Sequence, residues 1–198
     1  LSQVLAVARA LIRLVHKVRV LGPCDGAPPE TGVTPLGASI PTFANGSIAP
    51  IAPDLACTLR TIRAFRDEEF DVVHIHEPIC PGPCQTALFL RSAPIVGTWH
   101  AAGGSKAYMT PGVRWLATRM NIRTAVSQDA KEMAFEALGG DYEVVFNGVE
   151  IDKFRNAEAA PSEGATIAYV GRHEPRKGLE TLLKSVESLP PNVTVWIM

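Results

Sequence analysis

The stretch FDVVHIHEPICPGPCQTALFLRSAPIVGTWH, residues 70–100, reads as strand, helix, strand. FDVVHIHE is apolar and rich in β-branched residues. His74 and His76 alternate with Val73 and Ile75, so both histidines fall on one face of the strand. A short helix around 84–91 follows, and APIVGTWH is a second apolar strand. A strand that reaches its neighbour through a helix runs parallel to it. The fold therefore turns on whether this alternation recurs.

It recurs on both sides. Residues 1–16 carry apolar side chains at 4, 5, 8, 11, 12 and 15, a helical stripe, and VRVLGP is a strand that stops at Gly22-Pro23. Residues 23–53, with seven prolines, read as loop with a hairpin. Asp54 is placed to cap a helix over 54–68, whose Leu55, Leu59, Ile62 and Phe65 are expected to face the core. Downstream, WLATRM leads into the strand NIRTAVS, SQDAKEMAFEALGG is a capped helix closed by two glycines, and YEVVFNGVE is a further strand. DKFRNAEAAPSEGA is polar and poor in large apolar residues, as a linker is. The pattern then restarts: strand TIAYVG, helix LETLLKSVESL, strand NVTVWIM. The expectation is α/β: two doubly wound, Rossmann-like domains with mainly parallel sheets. The first spans 1–150 and is nearly complete, 151–164 is the linker, and 165–198 holds only the first βαβ of the second. The chain starts at Leu1 and stops inside an apparent strand, so it reads as a piece of a longer protein.

Composition narrows the partners. With 198 residues, 46% of them hydrophobic, there is material for a sizeable core. Nineteen basic against twenty acidic residues give a formal net charge of -1, which offers nucleic acid no general attraction. No apolar run is long enough to cross a bilayer, and Arg9 and Arg13 interrupt the first helix, unlike a signal peptide. The four cysteines follow no disulfide framework, so reduced thiols are the default.

In an open α/β sheet, ligands bind outside the carboxyl ends of the strands. The residues that end strands are His76-Glu77-Pro78, Thr98-Trp99-His100, Ser127, Asn147-Gly148 and Gly171-Arg172. The last pair opens GRHEPRKG, where Arg172, Arg176 and Lys177 crowd into six positions on a strand-to-helix turn. Gly171 lets an anion approach the backbone, Arg172 grips phosphate oxygens as a fork, and Lys177 adds a compact charge. A helix start adds free N–H groups. The motif is neither a Walker loop nor a dinucleotide fingerprint, so by itself it says phosphate site. A solvated basic turn is the plainer alternative. HIHEPICPGPC also gathers His74, His76, Cys80 and Cys84, all able to bind zinc, but their spacing matches no usual zinc pattern and no metal site is expected.

FDVVHIHEP, IVGTWH, TAVS, NGVEIDKF and above all GRHEPRKG resemble the family-4 retaining glycosyltransferases of GT-B fold. HIHEP followed by TWH and EPRKG points within them to the actinobacterial branch that mannosylates phosphatidylinositol. The resemblance implies a nucleotide-sugar donor, GDP-mannose in that branch, bound mainly by the second domain, and an acceptor bound by the first. It places the donor diphosphate on Gly171, Arg172, Arg176 and Lys177, and His100 at the reaction centre. It also places Lys106 on the acceptor's phosphate, and leaves His76, Glu77, Ser127 and Asn147 as cleft-lining candidates. The turn here is one residue shorter than the family's, and the AAGGS before Lys106 departs from the family's hydroxyl-rich segment. The resemblance further implies retention at the anomeric carbon, no obligatory metal, and a lipid or phosphoinositol-type acceptor. A glycine-rich loop is expected before Leu1 and a paired-glutamate motif after Met198, so residues 1–198 alone are expected to be inactive. Arg60, Arg63 and Arg66 recur on helix 54–68 and fit weak contact with an anionic membrane, on the cytoplasmic face of the plasma membrane. Three alternatives stand beside this reading: the same family with another donor and a soluble acceptor, a non-catalytic nucleotide- or phosphate-binding module, and a zinc-stabilised interaction domain.

Overall fold

The computed structural model describes residues 2–44, 47–100, 108, 111–158, 160–161 and 164–198. The chain divides into two compact units, Leu1–Val149 and Glu150–Met198.

The first unit opens with α1 (Ser2–Arg13), which buries Leu5 and Ala8. The expected helix over 1–16 stops earlier, because Val15 adopts φ +69° and ends it. Strand β1 (Val20–Gly22) then pairs in parallel with β2 (Val33–Pro35). The hairpin expected in the proline-rich segment is β3 (Ile40–Ala44) and β4 (Ser47–Ile51), paired antiparallel.

Helix α2 (Leu55–Asp67) is capped by Asp54, whose carboxylate accepts from the Cys57 N–H at 2.8 Å. The face it buries is not the expected one. Cys57 and Thr61 are buried, while Leu55, Leu59 and Ile62 are 71%, 56% and 38% exposed. The small residues let the helix axis approach Leu36 and Ala52, with which Cys57 forms a small buried cluster. Of the expected stripe only Phe65 packs inward, against the main core.

The centre of this unit is a four-stranded parallel sheet in the order β5-β6-β7-β8. Here β5 is Val73–His76, β6 is Ile95–Trp99, β7 is Ile122–Ala125 and β8 is Glu143–Val144. Successive strands are joined by α3 (Pro83–Leu90), α4 (Pro111–Ala117) and α5 (Gln128–Leu138). An unbroken strand order with right-handed crossovers puts these helices on the same face. There Ile75, Leu88, Ile95, Trp99, Leu116 and Met133 belong to the main core. Trp99 was expected among the ligand-facing strand ends; instead it is fully buried and meets Tyr142 edge-on at 5.1 Å. Gly97 is required by this packing, because a Cβ there would lie 2.2 Å from Met120 Sδ and 2.8 Å from Pro78 Cγ. The strand expected over 142–150 is only two residues long. It lies at the sheet edge, its last bond runs from Val145 N to Ala125 O, and Val145, Phe146 and Val149 are exposed.

The second unit begins with α6 (Ile151–Arg155), a helical turn inside the segment expected to be linker. Strand β9 (Ala165–Tyr169) pairs in parallel with β10 (Val193–Ile197). Between them lie a 3-10 turn, Pro175–Lys177, and α7 (Leu179–Ser185), extended by a second 3-10 turn to Ser188. None of this unit's described residues is fully buried, as expected of two strands and one short helix. The described residues are mixed α/β with parallel sheets apart from the β3–β4 hairpin, the expected Rossmann-like architecture.

Candidate functional site

At the carboxyl edge of the four-stranded sheet, three histidines stand in a row. His74 and His76 project from the same face of β5, and their rings stack at 4.3 Å. His100 follows β6 directly, and its ring centre lies 5.0 Å from that of His76 with 30° between the planes. The last two also meet edge to edge, with His76 Nδ1 2.8 Å from His100 Nε2. At the far end, His74 Nε2 lies 2.7 Å from Thr98 Oγ1, which is 2.7 Å from Thr124 Oγ1. Both threonines are buried.

The row is a set of neutral imidazoles. Burial, with the neighbouring rings adding to it, pushes His76 down to about 3. Burial also lowers His100 and His74. His74 keeps more of its surface in water, so its shift counts for less. A neutral imidazole donates a hydrogen bond from one ring nitrogen and accepts one at the other.

Glu77 holds the backbone beside this row. It adopts φ +54°, rare for a residue with a side chain, and two bonds keep it there. Its N–H donates to Thr98 O at 2.9 Å, and its carboxylate accepts from the His100 N–H at 2.8 Å. Ser127 lies two residues beyond β7, but its hydroxyl is occupied: it caps α5 by accepting from the Ala130 N–H. Asn147 does not end a strand, since β8 stops at Val144, and it is exposed. Gly148 beside it is held by the Gln3 side-chain amide, which meets both its backbone N–H and C=O. Lys106 lies outside the described residues.

The cysteines of HIHEPICPGPC gather no metal-binding set. Cys84 Sγ–H points at His76 O and Cys80 Sγ–H at Pro81 O. Burial pushes Cys80 up to about 11 and Cys84 higher, away from the thiolate a metal needs. Among the described residues no group of three or more His, Cys, Asp or Glu is placed to hold a metal ion.

In the second unit, Gly171 through Lys177 form the turn after β9. Glu174 binds Arg172 at 3.0 Å and Arg176 at 2.9 Å. Lys177 is exposed and makes no ion pair among the described residues. Backbone bonds fix the turn: Glu174 N to Arg172 O and Lys177 N to Glu174 O, with Gly178 at φ +75° closing it. Three cations are thus presented on one short segment, two of them joined by a shared carboxylate.

Comparison with known proteins gives this geometry a family. The model of "Glycosyltransferase Family 4" matches residues 2–153. The chain belongs to glycosyltransferase family 4. The phosphatidyl-myo-inositol mannosyltransferase of Mycobacterium tuberculosis H37Rv is 34% identical over 93% of this chain and 51% of its own length. That of Mycobacterium leprae is 36% identical over 93% and 52%. That of Propionibacterium freudenreichii is 30% identical over 92% and 53%. The family-4 chain spans about half the length of these curated relatives. Its fold also resembles the crystal structure of Acinetobacter baumannii MurG, with TM-score 0.53 and 14% identity over 99% of this chain and 63% of that one.

Within this family-4 site, sequence reading missed His74, Thr98 and Thr124 as a supporting row. The alternation in VHIH was the available signal: it puts His74 beside His76, where a second imidazole changes the electrostatics of the first.

Proposed function

We propose that the complete protein carrying this chain is a retaining hexosyltransferase that moves mannose from GDP-mannose to a lipid acceptor of the phosphoinositol type. The observation that carries this reading is the 34–36% identity to phosphatidyl-myo-inositol mannosyltransferases across 93% of the chain. Residues 1–150 take the acceptor side and 165–198 begin the donor side.

The chemistry asked of the residues is specific. As the anomeric carbon–oxygen bond breaks, negative charge grows on the departing diphosphate. Arg172, Arg176 and Lys177 supply positive charge on one turn, where preorganised cations stabilise a transition state more than a ground state. They take the part a divalent metal plays elsewhere, so no metal is required. His100 sits beside the sugar as a neutral donor and acceptor, its backbone fixed by Glu77. Lys106 meets the acceptor's phosphate. Helix α2 turns Leu55, Leu59, Ile62, Arg63 and Arg66 outward, a composition suited to the surface of an anionic membrane. No helix among the described residues is long and apolar enough to cross a membrane. The proposed location is therefore peripheral, at the cytoplasmic face of the plasma membrane.

The test is transfer by the complete protein, with GDP-mannose and phosphatidylinositol vesicles. The expected product is an α-mannosylated lipid with the donor's anomeric configuration, formed in the presence of a chelator. An inverted product refutes retention. Transfer from another donor, or to a soluble acceptor only, overturns the substrate assignment.

A further inference from the structure

Two features hold His100, and they hold different parts of it. Glu77 accepts from its backbone N–H, a bond that any residue at position 100 would make. His76 instead meets the ring: its Nδ1 lies 2.8 Å from His100 Nε2. Two facing imidazole nitrogens at that distance share one proton. With none, two lone pairs oppose each other; with two, two N–H groups collide. The pair has only two neutral arrangements, and each fixes His100 completely. If Nε2 carries the proton, Nδ1 is an acceptor; if Nε2 accepts, Nδ1 carries the proton. His76 engages Nε2 of His100, so Nδ1 is the ring nitrogen that the pair does not use.

His76 is itself held on its other face. His74 stacks on it at 4.3 Å with 29° between the planes. His74 is anchored in turn through Nε2 to Thr98 Oγ1, and Thr98 to Thr124. Thr124 Oγ1 donates to Gly97 O at 3.4 Å. Read from that end, each hydroxyl donates onward and accepts from the previous member, so His74 donates from Nε2. Both buried hydroxyls are thereby satisfied, and the plane of the row is set by the sheet itself.

We propose that His76 is a positioning residue for His100, locking its ring in one orientation and tying its tautomer to that of His76, so that Nδ1 meets the substrate from a fixed place. This rests on the reading of His100 as the group beside the transferring sugar. Burial keeps both rings neutral at pH 7, so the two neutral arrangements are the ones available. The row thus supplies more than packing: it couples the proton on His100 to the proton on His76.

Two variants in the complete protein separate hydrogen bond from stack. His76→Phe keeps the aromatic row and removes Nδ1. His76→Asn removes the row but sets an amide where Nδ1 stood. His76→Phe is expected to lower kcat about 10- to 100-fold, the scale of loss for a misplaced reacting group, with KM for GDP-mannose little changed. His76→Asn is expected to recover most of that loss. Nitrogen-15 NMR of histidine-labelled wild-type protein is expected to show His76 and His100 in complementary tautomers, one proton between the facing nitrogens, and His76→Phe to shift the tautomer balance of His100. Wild-type kcat in His76→Phe, or tautomers of the two rings that vary independently in the wild type, overturns the proposal. If His100→Ala leaves transfer intact, the catalytic reading of His100 fails, and the tautomer measurement still decides whether His76 governs the ring.

Discussion

Glu174 grips two guanidinium groups at once, Arg172 Nη1 through Oε1 at 3.0 Å and Arg176 Nη2 through Oε2 at 2.9 Å. A phosphate that binds these arginines must share them with that carboxylate. Lys177, three residues beyond Glu174 and past Pro175, has no such competitor among the described residues. The three cations of the turn are therefore unequal.

Removing one charged partner of a phosphate typically costs about 1.5–3 kcal/mol. Lys177→Ala is expected at the upper end of that range for binding the free nucleoside diphosphate. Arg172→Ala is expected at the lower end, since part of its charge is already spent on Glu174. Calorimetry on the complete protein measures both. Unchanged affinity in the two variants removes this turn from the donor site.

His100→Ala separates rate from binding. A residue beside the reacting sugar acts on the transition state, so transfer is expected to fall at least tenfold more than affinity for the diphosphate. Parallel losses in both quantities would mark His100 as structural.

What the sequence made legible follows from how local the cause is. Helix α5 could be read from Ser127, which caps it, and from the Ala130, Met133, Ala134 and Leu138 stripe, which it buries. Helix α2 could not. Its large apolar residues lie on one stripe and its small ones on another, and period alone does not say which meets the protein. Close approach chose Cys57 and Thr61. The meeting of His76 with His100 was equally hidden. It depends on the register that sets His76 opposite Thr98, so that the residue after Trp99 reaches back across the strands. Strand β8 was overread because an apolar run at a sheet edge loses its hydrogen-bond partners before its apolar character ends.

Acid should weaken the first unit through the histidine row. In the unfolded chain each of these histidines takes a proton below about 6.5. Folded His76 resists until about 3, and His100 is lowered in the same direction. Between those values the unfolded state binds more protons, so stability is full above about 6.5 and is lost as pH falls toward 3. Urea midpoints at pH 7.5 and 4.5 measure the loss. His76→Phe, which removes the most shifted ring, is expected to show a smaller drop than the wild type. An equal drop in both assigns the acid sensitivity to other groups.

Gly82 fixes the entry to α3. It stands at φ +104°, and a Cβ there would lie 2.1 Å from Ala52 O, a backbone atom with little room to retreat. Gly82→Ala must shift the chain before Pro53 or tilt α3, and is expected to cost about 1–3 kcal/mol from the backbone conformation alone. Chemical denaturation should show a lowered midpoint. Retained stability would mean that the approach of Ala52 to Gly82 is not a fixed contact.

Membrane contact is the prediction most altered by the structure. Arg60 is not free to serve it, because its guanidinium donates to Leu36 O at 3.0 Å and ties α2 to the segment before the hairpin. Arg63 and Arg66 are exposed, although both lean on Asp67 at 3.2 and 2.8 Å. Such exposed pairs are weak and exchange readily for another anion. Beside them Leu55, Leu59 and Ile62 face outward, so the helix offers an apolar strip as well as charge. Each arginine near an anionic leaflet contributes about 1 kcal/mol, which salt removes. The apolar strip adds a part that salt does not screen. The complete protein is therefore expected to sediment with anionic vesicles at low salt and to release only partly at high salt. Arg63→Glu with Arg66→Glu should abolish the salt-sensitive part, and Leu55→Ser with Leu59→Ser the remainder, each with an unchanged circular dichroism spectrum. If wild-type protein ignores anionic vesicles at low salt, α2 is not a membrane face and a soluble acceptor moves ahead of a lipid one.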